Sequence, residues 1–216
     1  MHVDMRPLYE RHPTLELVET NGQHRLRVRK SGVRLAPKDG VGAEIGVFTG
    51  MFAEILAEVT RPRKIYLVDP WEKLHGASFP NWGSYTANQS LTTEAAKAAT
   101  IYRAQALEPP CEVVTDYSDH WLAQFSQPFL DWVYLDAKHT YDYTMSTLRQ
   151  LGERLKDGGV IMGDDCWVKA EHTYNATYRA VRDFVGDTDF VFIHLDQYGQ
   201  WAITRKSSTA EMRLNG

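Results

Sequence analysis

Five short apolar runs, each closed by an acid, a glycine or a turn and spaced by longer segments, restrict this chain to few folds. They are Val41–Gly46, Lys64–Asp69, Cys111–Thr115, Asp131–Asp136 and Gly158–Gly163. Between them, Phe52, Ile55, Leu56 and Val59 fit one helix face over Met51–Thr60, and Met145, Leu148, Leu151 and Leu155 do so over Tyr141–Leu155. An alanine-rich helix is expected over Leu91–Ala106 and a short one over Ser118–Phe125. Strands that alternate with helices predict a mostly parallel sheet covered on both faces. Asp189–Leu195 and Gln200–Arg205 alternate in polarity around Asp196-Gln-Tyr-Gly199, which predicts a closing antiparallel hairpin. The expected fold is α/β: seven strands, helices on both faces, and the hairpin at the C-terminal end.

The 216 residues suffice for one such domain with a sizeable core. Residues 41–206 form it. Residues 1–40 are polar and broken by Pro7, Pro13, Gly22, Gly32 and Pro37. They read as an N-terminal arm that packs on the domain or completes a homo-oligomer. The basic run Arg25–Lys30 within them reads as a solvated strand or surface arm. A net charge of −4 gives no electrostatic reason to expect nucleic acid as a partner. Residues 207–216 read as a frayed tail. Cys111 and Cys166 have no metal-type or disulfide-framework spacing, so reduced thiols and a cytoplasmic location are expected. No stretch reaches the roughly 20 apolar residues that span a bilayer, so no membrane partner is expected. The stretch Trp71–Ala106 is too long for a plain crossover and carries Phe79, Trp82, Gly83 and Tyr85, as a lid or binding loop would.

Two of the strands end in acid. If Asp131–Asp136 and Gly158–Gly163 are parallel neighbours, about 4.8 Å apart, Asp136, Asp164 and Asp165 converge at their carboxyl ends. Three carboxylates that close repel unless a cation lies between them. Hard oxygen ligands suit Mg²⁺, Ca²⁺ or Mn²⁺. His139, three residues after Asp136, reads by itself as a turn histidine at the start of the next helix. At the end of the first strand, Glu44-Ile-Gly46-Val-Phe-Thr-Gly50 opens a helix, and glycines there let a ligand approach the backbone. Asp69 ends the second strand and either accepts from ribose hydroxyls or caps the turn before Pro70. The spacing is not the G-x-G-x-x-G of dinucleotide binders, which argues against a nicotinamide oxidoreductase.

These motifs resemble those of class I S-adenosylmethionine-dependent methyltransferases, whose fold is a Rossmann-like sheet closed by an antiparallel hairpin. More narrowly, V-G-A-E-I-G-V-F-T-G, D-W-V-Y-L-D-A-K-H-T-Y and G-G-V-I-M-G-D-D resemble the macrocin-type sugar O-methyltransferases, metal-dependent enzymes of antibiotic biosynthesis. The resemblance spans Val41 to Arg205. It implies that Glu44, Gly46 and Gly50 shape the pocket for the methionine part of the cofactor. Asp69 would bind the ribose, and Asp116, Tyr117 and Ser118 would lie near the adenine. It implies Asp136, Asp164 and Asp165 as ligands of a divalent cation, Mg²⁺ by preference, and His139 as catalytic base. The expected acceptor is a small-molecule hydroxyl, on a sugar or a polyphenol. Trp71, Trp82 and Trp167 are candidates for its pocket or for core and lid packing. A methyltransferase-like subunit that binds without catalysis is the non-enzymatic alternative.

Overall fold

The computed structural model describes residues 3–208. The strands are β1 (Val41–Ile45), β2 (Lys64–Val68), β3 (Glu112–Val114), β4 (Leu130–Leu135), β5 (Leu155–Gly163), β6 (Phe190–Leu195) and β7 (Trp201–Arg205). The helices are α1 (Arg6–Tyr9), α2 (Pro13–Val33), α3 (Met51–Thr60), α4 (Glu72–His75), α5 (Thr93–Ala106), α6 (Ser118–Leu122), α7 (Tyr141–Arg154) and α8 (Asn175–Asp187). A 3-10 turn covers Gly83–Thr86.

The seven strands form one sheet in the order β3-β2-β1-β4-β5-β7-β6. β7 runs antiparallel to both β5 and β6; the other pairs are parallel. The order reverses between β1 and β4, the switch point at which open α/β sheets leave a crevice for ligands. Alternate side chains feed two cores. Ile65, Leu67, Trp132, Tyr134, Val160 and Met162 meet α2, α3 and α5 on one face. Ala43, Ile45, Val133, Leu135 and Ile161 meet α6, α7 and α8 on the other. The expected α/β sheet and its closing hairpin are therefore what the chain builds.

Three expectations need correction. The segment 1–40 is not an aperiodic arm: α2 runs for 21 residues and buries Leu15, Val18 and Val33 on the domain, one of the two roles expected of it. The basic run Arg25–Lys30 is neither a strand nor a solvated arm, because it lies in α2 and Arg29 is buried. The period was hidden because Glu19 and Arg29 occupy buried positions where apolar residues are normally sought. The segment 168–188, where no element is expected, contains α8, whose Thr177, Ala180, Val181 and Phe184 face inward. Of the tail, residues 209–216 lie outside the described residues, and the Ser208 hydroxyl accepts from the Gly158 amide at 3.0 Å.

Candidate active site

Backbone hydrogen bonds bring three strand ends into line. The Gly46 amide donates to the Val68 carbonyl at 3.0 Å, Asp136 to Ile45 at 2.8 Å, and Asp164 to Leu135 at 3.2 Å. The glycine turn, Asp69 and the acids thus lie along one edge of the sheet. Gly46 has φ +88°, and a Cβ there would collide with the Asp136 carbonyl, so the turn can pass β4 only as glycine. Gly50, at φ +79°, precedes α3.

Helix α5 grips this turn from outside. Thr100 Oγ1 donates to the Phe48 carbonyl at 3.3 Å and Arg103 Nη1 to the Thr49 carbonyl at 2.9 Å. Trp71 Nε1 also donates to Phe48, at 2.8 Å; its indole is fully buried, so Trp71 is core packing. Asp69 acts here as the turn's acceptor: Oδ2 takes the amides of Val47 (2.9 Å) and Phe48 (3.0 Å), and Oδ1 that of Trp71 (2.8 Å). Burial raises its pKa, against the pull of those amides. Asp116 accepts from Lys73 Nζ at 2.9 Å and from the Tyr117 amide at 3.0 Å. The Tyr117 hydroxyl donates to the Lys73 carbonyl, and Ser118 Oγ meets the Tyr143 hydroxyl at 2.9 Å. Asp116 and Tyr117 thus link the end of β3 to α4, and Ser118 meets α7, with β2 and β1 between β3 and the strands that carry the acids.

The acids are brought together, but not as one equivalent set. Arg29 Nη2 bridges Asp136 Oδ2 (2.6 Å) and Asp164 Oδ2 (2.7 Å). Asp164 Oδ1 accepts from Gln200 Nε2 and from the Asp165 amide. Asp164 is thus engaged at both oxygens by protein donors. His139 Nε2 stands 3.2 Å from Asp165 Oδ2 and 3.9 Å from Asp136 Oδ1. Asp136, His139 and Asp165 each present a ligand atom within 4.8 Å of the others. The two carboxylate oxygens suit a divalent cation of the Mg²⁺ to Mn²⁺ range, with the His139 imidazole beside them. Burial, and then Asp136, push the Asp164 carboxyl up to about 6, while Arg29 opposes them. Burial disfavours the Arg29 charge, but Asp136, Tyr134 and Asp164 together outweigh it and hold its pKa above the ordinary value.

Around Asp165 the mouth of the site is aromatic on one side and cationic on the other. Trp167 Nε1 donates to Asp165 Oδ1 at 3.2 Å and its ring stacks on His172 at 4.3 Å. Tyr174 lies 4.8 Å from the His139 ring. Opposite, Arg25 Nη2 is 3.8 Å from Asp165 Oδ2, and its guanidinium lies over Tyr85, which in turn stacks on Phe48 at 4.6 Å. Trp82, farther out on the same loop, is half exposed. Burial pushes both the Cys111 and Cys166 thiols up to about 12, so neither is an activated nucleophile.

Sequence reasoning missed Arg29, Arg25, Gln200 and Arg103. Arg25 and Arg29 carry a signal once α2 is known, since an i, i+4 pair lies on one helix face. Gln200 and Arg103 act through long-range contacts that no local pattern announces.

Residues 43–166 match the model of the methyltransferase domain family, more than half of the chain, and the chain belongs to that family. Its chemistry is S-adenosylmethionine-dependent methyl transfer. Searching curated proteins gives no match. Among solved structures, the SAH-bound methyltransferase PaMTH1 of Podospora anserina is similar at TM-score 0.55 and 15% identity, over 77% of this chain and 72% of that one. An rRNA methylase from Streptococcus thermophilus is similar at TM-score 0.50 and 14% identity, over 81% and 90%. Spermidine synthase from Thermotoga maritima is similar at TM-score 0.50 and 16% identity, over 80% of this chain and 54% of that one. At these identities the likeness is one of fold.

Proposed function

We propose that this chain is an O-methyltransferase for a small-molecule hydroxyl, on a sugar or a polyphenol, assisted by a divalent cation. The observation that carries this is the Asp136–His139–Asp165 group, set beside the glycine turn at the sheet's switch point. When bound, S-adenosylmethionine supplies the methyl that passes from sulfur to oxygen, and a cation such as Mg²⁺ lowers the pKa of the hydroxyl. Asp136 and Asp165 would hold that cation. Asp164 instead anchors Arg29, which keeps Asp136 turned toward the group. His139 Nε2 would take the hydroxyl proton, with Asp165 supporting the charge that the ring gains. The Trp167 indole fixes Asp165, and the Trp167–His172 stack offers a flat wall for the acceptor. Proximity and alignment supply most of the remaining rate.

The test is a panel of sugar and catechol hydroxyl acceptors with ¹³C-methyl cofactor, run with Mg²⁺ and with chelator. A new methoxyl resonance that needs Mg²⁺, and that is lost in Asp136→Asn, supports the reading. Transfer to nitrogen or to RNA, or methoxyl formation indifferent to chelation, overturns it.

A further inference from the structure

Two arginines of α2 reach the acids, and they are held differently. Arg29 Nη2 lies 2.6 Å from Asp136 and 2.7 Å from Asp164, and its side chain is 9% exposed. Arg25, one helical turn earlier, stands 3.5 Å from Asp164 Oδ2 and 3.8 Å from Asp165 Oδ2, and its side chain is 35% exposed. The first distances are those of charge-assisted hydrogen bonds; the second are those of a looser ion pair within reach of water. Arg29 is therefore a fixed part of the fold, and Arg25 is exchangeable.

Asp165 is where the exchange matters. Its Oδ1 takes the Trp167 indole, so Oδ2 is the oxygen left for a metal. Arg25 Nη2 and His139 Nε2 both address that oxygen, at 3.8 and 3.2 Å. The guanidinium thus contends for the same atom as an ion held by Asp136, His139 and Asp165. Charge decides the contest. Asp136, Asp164 and Asp165, when ionised, carry three negative charges against the two positive charges of Arg25 and Arg29. If a divalent ion takes the place of Arg25, the balance becomes exact. If it enters with Arg25 still in place, cation repels cation among poorly solvated groups. A monovalent ion brings no more charge than the guanidinium it expels, and it loses hydration as well. The guanidinium also has a second resting place, the Tyr85 ring 5.5 Å away, which is itself stacked on Phe48 at 4.6 Å.

We infer that Arg25 is a resident counter-ion that a divalent cation must displace from Asp165, so that this residue sets the charge threshold of the metal position. This rests on the proposed cation site and adds a specificity-determining residue to it. Until an ion arrives, Arg25 relieves the repulsion among the acids. Once displaced, it stays over Tyr85 and no longer contacts Asp165.

The experiment titrates chelator-treated full chain with Mn²⁺, the free ion being read by electron paramagnetic resonance, in wild type, Arg25→Gln and Arg27→Gln. Arg27 is exposed on another face of α2, so its loss removes the same charge without touching Asp165. Arg25→Gln should bind Mn²⁺ about fivefold tighter than wild type, and Arg27→Gln should bind it as wild type does. Thermal unfolding gives the linked reading: Arg25→Gln should melt below wild type without metal and level with it in saturating Mn²⁺. Equal or weaker Mn²⁺ binding by folded Arg25→Gln overturns the inference and leaves the cation site standing. An equal gain in Arg27→Gln also overturns it, since net charge alone would then be the cause. So does a gain that persists when Asp165→Asn is added, which would put the ion elsewhere. If neither wild type nor Arg25→Gln binds Mn²⁺, the cation reading itself fails and the inference with it.

Discussion

Arg103 is where the fold and the glycine turn share one buried charge. It is 2% exposed, and its guanidinium donates to Glu54 Oε1 (2.7 Å), to Glu19 Oε1 and Oε2 (2.8 and 2.7 Å) and to the Thr49 carbonyl (2.9 Å). The Tyr9 hydroxyl adds a bond to Glu19 at 2.6 Å, and the Val3 amide one to Glu54 at 3.2 Å. Arg103→Met keeps apolar volume but strands two buried carboxylates and frees a turn carbonyl. Breaking a buried pair by removing one partner costs about 3–5 kcal/mol. For a chain of this size each kcal/mol shifts Tm by about 2–4 °C, so a fall of about 10 °C is expected in thermal unfolding followed by circular dichroism. Urea titration should show the same loss with an unchanged slope. Replacing Glu19 and Glu54 by Leu in the Arg103→Met background should recover more than half, because the uncompensated charge is then gone. A loss below about 1 kcal/mol, or no recovery in the triple variant, would refute the reasoning.

Further expectations follow from single sites. Gly46→Ala forces a left-handed alanine against the Asp136 carbonyl and should cost more than about 2 kcal/mol, read as a lower urea midpoint. His139→Ala should lower turnover by about 10²–10⁴ while S-adenosylhomocysteine affinity in calorimetry is unchanged. Glu44 has its folded pKa raised by burial, so it favours folding below the ordinary carboxylate range and loses that contribution as pH rises toward the folded value. The Tm of Glu44→Gln relative to wild type should therefore be more favourable at about pH 8 than at about pH 5 in ligand-free protein.

The sheet was legible because its signal is local. Each of β1, β2, β4 and β5 is a short apolar run with a polar or glycine boundary, and α3 and α7 carry plain helical periods. The acids were legible for the same reason, since residues that close neighbouring parallel strands lie together at the sheet's carboxyl end. What stayed hidden depends on tertiary pairing. Glu19 and Arg29 interrupt the apolar stripe of α2, and only the distant Arg103, Asp136 and Asp164 explain why charges are buried there. The division of labour among the acids was equally hidden. Asp164 and Asp165 are adjacent in sequence, yet one faces Arg29 and Gln200 and the other His139 and Trp167. At φ +58°, Asp165 adopts the left-handed turn that sends them apart, a conformation aspartate tolerates better than most residues.

The most direct test of the account is a calorimetric titration of metal-stripped protein with S-adenosylmethionine, repeated with Mg²⁺ and an acceptor hydroxyl and with Asp69→Ala. The account predicts saturable cofactor binding that weakens strongly in the variant, and acceptor binding that needs Mg²⁺. No cofactor heat under any condition would contradict it.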